Sequence, residues 1–212
     1  MTDQDWGGGV GGPSGAGGGP GPSSGGSGAI GTETAGPGAV SGGPGPAPGG
    51  PRPVPGAVIT VSDRCARGEA VDRSGPLAAA LLADAGVRAD VVIVPDGVAS
   101  VRRAVRAALD GGARVVLTTG GTGVGPRDRT PEATAPLLVR ELPGLAEAVR
   151  ARGAADLPAA VLSRGLAGIA EGRDGEALVV NAPGSPGGVR DAVAVLGPLV
   201  PHVLDQLAGG AH

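Results

Sequence analysis

Between residues 56 and 208, short runs of β-branched and apolar residues alternate with segments whose apolar residues recur at helical spacing. Apolar runs of about four to eight residues are typical of strands, and a spacing of three or four is typical of amphipathic helices. Strands are predicted at 56–61, 87–94, 114–118, 166–170 and 176–180. Helices are predicted at 74–85, 98–109, 130–140, 145–152, 189–196 and 198–207, with a short helix or turn at 158–163.

The alternation of strands and helices with short connections predicts the architecture. It favours an α/β domain of three layers, in which a mostly parallel sheet carries helices on both faces. The last two strands are joined by Gly172–Gly175, which contains an Asp-Gly turn signal. We therefore expect a late antiparallel hairpin that adds an antiparallel strand at an edge of the sheet.

The N-terminal part of the chain has a different composition. The chain has 212 residues with 44 Gly and 21 Pro, and the first 55 residues hold a disproportionate share of both. Such a stretch buries too little apolar surface to offset the entropy of ordering. We expect a disordered tail at 1–55, one domain at 56–208 and a frayed C-terminus at 209–212. A tail that contacts a partner is the alternative.

Composition and charge exclude several classes of protein. There is no Phe or Tyr, and the single Trp6 lies in the tail, so Ala, Val, Leu and Ile must form the core. The net charge of −3 gives no broad basic surface for nucleic acid, and no apolar run is long enough to span a membrane. The lone Cys65 excludes an intrachain disulfide and a multi-cysteine metal site. We expect a cytoplasmic protein.

Polar groups follow several predicted strands where the strands end. Asp63, Asp96 and Asp128 each come shortly after an apolar run. Because the carboxyl ends of parallel strands meet at one edge of a sheet, we expect these carboxylates near one crevice. Grouped carboxylates repel one another unless a cation lies between them. A capping or solvated role is the alternative for any one of them.

The segment from Val115 to Thr134 combines a strand, a glycine-rich loop and the start of a helix at Thr130-Pro131. Free backbone N–H groups and a helix N-terminus at one point favour binding of a phosphate. The segment lacks the Gly-Lys-Ser/Thr of the common phosphate loop, and Pro126 replaces the last glycine of the dinucleotide fingerprint. A tight strand-to-helix turn without a ligand is the alternative.

Five blocks of sequence, found in the same order, resemble the molybdopterin adenylyltransferase family of molybdenum cofactor biosynthesis. The resemblance extends from about Val58 to Leu207, and the tail has no counterpart in it. The blocks are Val61–Arg64 with Asp72–Pro76, Val94–Asp96, Gly120–Ala133, Leu162–Arg164 and Asn181–Pro186.

The resemblance implies a reaction and a set of site residues. The family transfers AMP from ATP to the phosphate of molybdopterin and releases pyrophosphate, with Mg²⁺. Asp96 and Asp128 would be the catalytic carboxylates and would hold the Mg²⁺. Contacts to the pterin or to the nucleotide would come from Ser62, Asp63, Ser74, Gly120, Gly121, Thr122, Gly123, Ser163, Pro183, Gly184 and Ser185.

The resemblance also implies partners and leaves alternatives open. A homotrimer and a molybdenum insertase partner are expected. The alternative function is a carrier of the same fold that binds molybdopterin without catalysis, and a metal insertase is a third hypothesis. The chain has Gly97 where the family usually has an acid, which would weaken metal binding, and Ala182 where a larger apolar residue is usual.

Overall fold

The computed structural model describes residues 52–210. The predicted tail at 1–55 therefore lies outside the described residues, except for its last four positions, and so does the end of the predicted frayed segment. Val54 and Pro55, which were assigned to the tail, belong to the first strand. In the described part of the chain, no helix is long and apolar enough to cross a bilayer.

The described residues form strands β1 Val54–Val61, β2 Val87–Val94, β3 Val115–Thr119, β4 Leu138–Glu141, β5 Ala167–Gly172 and β6 Gly175–Ala182. The helices are α1 Asp63–Ala66, α2 Ser74–Asp84, α3 Val98–Asp110, α4 Thr130–Thr134, α5 Pro143–Ala154, α6 Pro186–Leu196 and α7 Val200–Leu207. Short 3₁₀ turns occupy Ala135–Leu137, Pro158–Leu162 and Gly197–Leu199.

These strands form one sheet of order β2-β1-β3-β6-β5-β4. The pairs β1–β2, β1–β3 and β3–β6 are parallel, whereas β6–β5 and β5–β4 are antiparallel. The predicted α/β class with a mostly parallel sheet and a late hairpin is confirmed. The hairpin is not at the edge, however, because β6 enters the sheet beside β3 and β4 covers the outer side of β5.

The region after the glycine-rich loop differs most from the prediction. A helix was predicted over 130–140, but α4 ends at Thr134 and Leu138–Glu141 is strand β4. Its apolar residues fit either element, and the pairing of Leu138 with Ala170 and of Arg140 with Ile169 selects the strand. A short α1 also replaces part of the predicted loop after β1.

Helices cover both faces of the sheet. Side chains of α2, α5 and α6 pack with Val58, Leu117 and Leu178 on one face. Those of α3 and α4 pack with Ile59 and Val116 on the other. Because alternate residues of a strand point to opposite faces, the central strands are apolar on both sides. Among the described residues, the buried hydrophobic side chains are all Ala, Val, Leu or Ile.

The order of the strands fixes where a ligand can bind. From β1 the chain moves to β2 on one side, and after α3 it returns to β3 on the other side. In open parallel sheets, ligands bind beyond the carboxyl ends of the strands at such a reversal. Here these ends are Val61 and Thr119.

Candidate functional site

A cleft of about 980 Å³ lies beyond the carboxyl ends of the parallel strands. Its walls come from the segments after β1, β2, β3 and β6, together with α5 and the 3₁₀ turn at Pro158–Leu162. Most of the predicted site residues line it, namely Ser62, Ser74, Asp96, Gly120, Gly121, Thr122, Gly123, Asp128, Ser163, Pro183, Gly184 and Ser185.

The glycine-rich loop forms the floor of the cleft. Gly120 has φ 105°, which only glycine adopts readily, and a Cβ there would overlap the carbonyl oxygen of Val61. Within residues 52–210, the main-chain N–H groups of Gly121, Thr122 and Gly123 donate no hydrogen bond to another protein group. Three adjacent amides are thus available to an anion in the cleft.

Two buried polar side chains support the loop: Thr130 binds it directly, and Asn181 joins the segments before and after it. The hydroxyl of Thr130 donates to the carbonyl oxygen of Gly120 at 2.8 Å. The helix start was predicted at Thr130-Pro131, and α4 begins at Thr130; its N-cap position is Arg129, whose side chain makes no capping hydrogen bond. Asn181 donates from Nδ2 to the hydroxyls of Thr118 and Thr134 at 3.0 and 3.1 Å. The polar tip of β6 therefore supports the floor of the site.

The ends of β1 and β2 are joined by a reciprocal pair of hydrogen bonds. The Asp63 N–H donates to Asp96 Oδ2 at 3.0 Å, and the Asp96 N–H donates to Asp63 Oδ1 at 3.0 Å. Asp63 Oδ2 forms an ion pair with Arg127 in the glycine-rich loop. Asp63 is buried and, unlike the other predicted site residues, is not part of the cleft wall. Its carboxylate is directed at the Asp96 N–H and at Arg127.

Asp96 and Asp128 face the same cleft from neighbouring segments. Asp128 Oδ2 accepts a hydrogen bond from the N–H of Gly125 at 2.9 Å, which fixes its carboxylate within the loop. Partial burial, and next the negative charge of Asp128, raise the pKa of Asp96 above its usual value. A cation between the two groups would relieve this repulsion.

Hydroxyl groups in the cleft wall also make contacts within the protein. Ser74 donates to the Gly184 carbonyl oxygen at 2.8 Å, and Thr119 donates to the Pro183 carbonyl oxygen at 2.8 Å. Ser185 accepts the N–H of Gly188 at 3.1 Å and caps α6. These bonds hold the 183–185 loop against the floor of the cleft, so its polar groups have fixed positions.

Several cleft residues were not predicted from sequence. Asp72 accepts hydrogen bonds from Thr60 Oγ1 at 2.7 Å and from the N–H of Ser74 at 3.0 Å. The remaining wall is largely apolar and comes from α5 and the following turn. Asp72 could have been found from its place in the second half of the first sequence block. The cleft residues of the apolar wall include Val149, Arg150, Leu157 and Ala160. Nothing in the sequence pointed to the α5 residues among them, because they are ordinary helix residues.

The two departures from the family pattern have structural counterparts. Gly97 has φ 125° at the N-terminus of α3, a conformation that an acidic residue would adopt only with strain. Ala182 is fully buried at the end of β6, beside Thr119 of β3. The small residue at each position therefore fits the local backbone or packing.

The raised pKa of Asp96 predicts a pH-dependent contribution to stability. A carboxyl group with a higher pKa in the folded state contributes stability below its unfolded pKa, near about 3.9, and this is lost as pH rises through the folded pKa. Asn at this position keeps an oxygen for the Asp63 N–H and removes the charge. In EDTA, we expect the melting temperature of Asp96→Asn to exceed that of the wild type increasingly as the pH rises from about 4 to 7.

The control is Asp174→Asn at the hairpin turn. The Arg173 hydrogen bond lowers the pKa of Asp174, so the contribution of Asp174 to stability increases with pH, opposite to that of Asp96. The Asp174→Asn variant should therefore lose stability relative to the wild type as the pH rises. A difference between Asp96→Asn and the wild type that stays constant with pH would contradict the prediction.

Comparison with known proteins identifies the family. Residues 57–202 match the model of a family described as a probable molybdopterin binding domain. A molybdenum cofactor biosynthesis bifunctional protein from Synechococcus elongatus is 44% identical over 156 residues, which are 73% of this chain and 48% of that protein. The chain thus spans about half the length of this relative.

Two further relatives match over most of their own length. A molybdopterin adenylyltransferase, an enzyme, from Pyrococcus furiosus is 40% identical over 148 residues, which are 69% of this chain and 87% of the relative. The crystal structure of a molybdopterin biosynthesis protein from Mycobacterium abscessus has a TM-score of 0.69 and 47% identity, covering 75% of this chain and 98% of that one. This chain belongs to the molybdopterin-binding domain family of molybdenum cofactor biosynthesis.

Proposed function

We propose that this protein is a molybdopterin adenylyltransferase, which transfers AMP from ATP to the phosphate of molybdopterin and releases pyrophosphate. The observation that carries the proposal is the set of open amides at Gly121–Gly123, lying in one cleft with Asp96 and Asp128. The name of the Pyrococcus furiosus relative supports the same activity.

The proposed reaction needs no nucleophile from the protein. An oxygen of the molybdopterin phosphate attacks the α-phosphorus of ATP and forms a new P–O bond. The bond from that phosphorus to the oxygen bridging the β-phosphate breaks, and pyrophosphate leaves with the electron pair. The protein must hold the two anions in line and stabilise the charge that develops, which fixed amides do effectively in a cleft.

Mg²⁺ fits the two carboxylates. In the described part of the chain, no group of three or more His, Cys, Asp or Glu side chains gathers into an all-protein metal site. Mg²⁺ is commonly held by one or two carboxylates together with substrate phosphates, and Asp96 and Asp128 would be these two ligands. When bound, Mg²⁺ would neutralise part of the charge of the triphosphate and of the leaving pyrophosphate.

The other predicted residues divide between the two substrates. We assign Pro183–Ser185 to the nucleotide, and Ser62, Ser74 and Ser163 to the pterin or to the phosphates. Support comes from their common position in the wall of the cleft. Asp63 acts in this proposal through its hydrogen bond to the Asp96 N–H.

The test is a pyrophosphate assay with purified full-length chain, molybdopterin, ATP and Mg²⁺. We expect pyrophosphate release that requires all three additions, with one adenylylated pterin formed for each pyrophosphate. Tight molybdopterin binding without pyrophosphate release would refute the enzyme hypothesis and support the carrier hypothesis. If the protein neither binds molybdopterin nor releases pyrophosphate, both hypotheses are refuted.

We further propose a cytoplasmic homotrimer that passes its product to a molybdenum insertase. Support for self-association comes from β2, an edge strand on which Val91, Val92 and Ile93 are 37%, 49% and 42% exposed. Unpaired apolar edges favour association with another chain. Light scattering on the eluting protein should give three times the 20.0 kDa chain mass. A monomer mass at micromolar concentration would contradict the assembly.

A further inference from the structure

The glycine-rich loop at 121–129 makes few hydrogen bonds within itself. The Gly125 N–H binds Asp128 Oδ2, and the Asp128 N–H binds the Gly125 carbonyl oxygen at 3.1 Å. Beyond this one turn, several of its carbonyl groups accept hydrogen bonds from residues outside the loop. A loop with open amides and many small residues is flexible unless its surroundings fix it.

A single residue from a distant segment supplies most of this support. Arg164 follows the 3₁₀ turn after α5, and its main-chain N–H donates to the Thr122 carbonyl oxygen at 2.8 Å. Its side chain donates from Nε to the Gly123 carbonyl oxygen at 2.8 Å and from Nη2 to the Asp128 carbonyl oxygen. Arg164 therefore holds the loop both at its glycines and at the residue that carries the carboxylate.

A carboxylate on α4 fixes the direction of this side chain. Arg164 Nη1 lies 2.7 Å from Glu132 Oε1. The hydrogen bond from Arg164 lowers the pKa of the Glu132 carboxyl group, so Glu132 is charged at neutral pH. The planar guanidinium group has five N–H donors in fixed directions and can meet all three acceptors at once. A lysine ammonium group cannot reproduce this arrangement.

The segment that carries Arg164 is itself anchored to the frame of the domain. Arg150 of α5 donates to the Gly165 carbonyl oxygen at 3.1 Å. The N–H of Leu166 donates to Asn181 Oδ1 at 3.2 Å, next to the end of β6. The position of Arg164 is thus set by a helix and a strand, and the loop takes its position from Arg164.

We propose that Arg164 is a positioning residue that holds the open amides and the Asp128 carboxylate in the arrangement that phosphoryl chemistry requires. Arg164 does not line the cleft, so it acts through the loop and not on the substrate. The catalytic part of this inference rests on the proposed adenylyl transfer. The anchoring of the loop does not depend on that activity.

The experiment compares Arg164→Ala and Arg164→Lys with wild type in two measurements. In hydrogen–deuterium exchange without ligands, we expect the hydrogen-bonded amides of Gly125 and Asp128 to exchange at least about tenfold faster in both variants, while exchange in β3 and β6 stays unchanged. In the pyrophosphate assay, we expect kcat to fall about 100-fold in both variants, with a smaller change in KM for ATP, since displacement of reacting groups by about 1 Å costs this much.

Arg173→Ala is the matched control. Like Arg164, Arg173 binds a main-chain carbonyl oxygen, that of Gly111, and pairs with a carboxylate, that of Asp174. It lies at the hairpin turn, outside the cleft. In Arg173→Ala, we expect the amide exchange of the 121–129 loop and the kcat to match those of the wild type.

The outcomes separate the inference from the proposed function. Unchanged loop exchange in Arg164→Ala, or full recovery of exchange and kcat in Arg164→Lys, overturns the positioning role. If wild type releases no pyrophosphate, the adenylyl transfer fails, while the exchange data still decide the anchoring. If Arg164→Ala does not fold, Glu132→Gln replaces it, and faster exchange over 121–129 is expected there as well; wild-type exchange in that variant overturns the proposal.

Discussion

Replacing Asp128 by Asn is expected to lower the rate of pyrophosphate release by about 10²–10³-fold, because it removes one of the two proposed Mg²⁺ ligands and so weakens the stabilisation of charge in the transition state. The Asn side chain keeps an oxygen that can accept the hydrogen bond from Gly125, so the loop should keep its shape. The loss should therefore be in kcat and in the dependence on Mg²⁺, and the melting temperature should change little. Steady-state kinetics at several Mg²⁺ concentrations measure both.

A second readout of the same variant does not depend on activity. The charge of Asp128 is one cause of the raised pKa of Asp96. In Asp128→Asn, we expect the Asp96 pKa to move back toward its usual value, as followed by an NMR titration of the carboxyl carbon. Asp174→Asn, which changes a carboxylate at the hairpin turn, should leave both kcat and the Asp96 pKa unchanged. A kcat within about threefold of wild type in Asp128→Asn would remove this carboxylate from the mechanism.

Replacing Gly120 by Ala is expected to reduce both stability and activity. Gly120 has φ 105°, and the new Cβ would overlap the carbonyl oxygen of Val61, which belongs to a central strand and cannot move away easily. Backbone strain of this kind costs about 1–3 kcal/mol, which corresponds to a fall of roughly 2–12 °C in melting temperature for a domain of this size. A displaced loop should also lower kcat about 100-fold.

Gly144→Ala is the control for this substitution. Gly144 lies in the first turn of α5, and a Cβ there meets no other atom within 4 Å. Because alanine favours a helix, this variant should be as stable as wild type or more stable by about 0.5–1 kcal/mol. Thermal unfolding and the pyrophosphate assay, run on both variants, check the pair. Equal melting temperatures for Gly120→Ala and wild type would show that the loop tolerates a side chain.

The three strands at the start of the sheet were predicted closely from the sequence. The second strand was placed at 87–94, as observed, and the first and third strands were within two residues of their observed ends. These strands pair along their whole length, and each of them begins and ends at a β-branched residue. The positions of these strands could therefore be predicted from the local sequence pattern.

The edge strand β4 shows the opposite case. Leu138–Glu141 has only four residues, three of them exposed, and lies directly after a 3₁₀ turn. Its local sequence does not distinguish a strand from the last turn of a helix, and the hydrogen bonds to β5 select the strand. Those bonds join segments nearly thirty residues apart in the chain, so no pattern within either segment predicts them.

For the site, residue types at the strand ends were sufficient to bring most of the predicted residues to one cleft. The roles of several side chains were not predictable. Asp63 had the same signal as Asp96, yet it is turned toward the Asp96 N–H and Arg127. Arg164 lay in the Leu162–Arg164 sequence block, but nothing in the block pointed to its role, because two of its side-chain acceptors are main-chain carbonyl groups, and every residue has one.

The α/β class, the edge of the sheet that carries the site and the glycine-rich loop could all be inferred from the amino-acid sequence. These follow from local patterns and from the rule that parallel strands end at the same edge. The order of the strands, the place of β4, and the division of polar side chains into those that face the cleft and those that support it became visible in the folded domain. These depend on hydrogen bonds between segments far apart in the chain, whose partners are set by the packing of the whole domain.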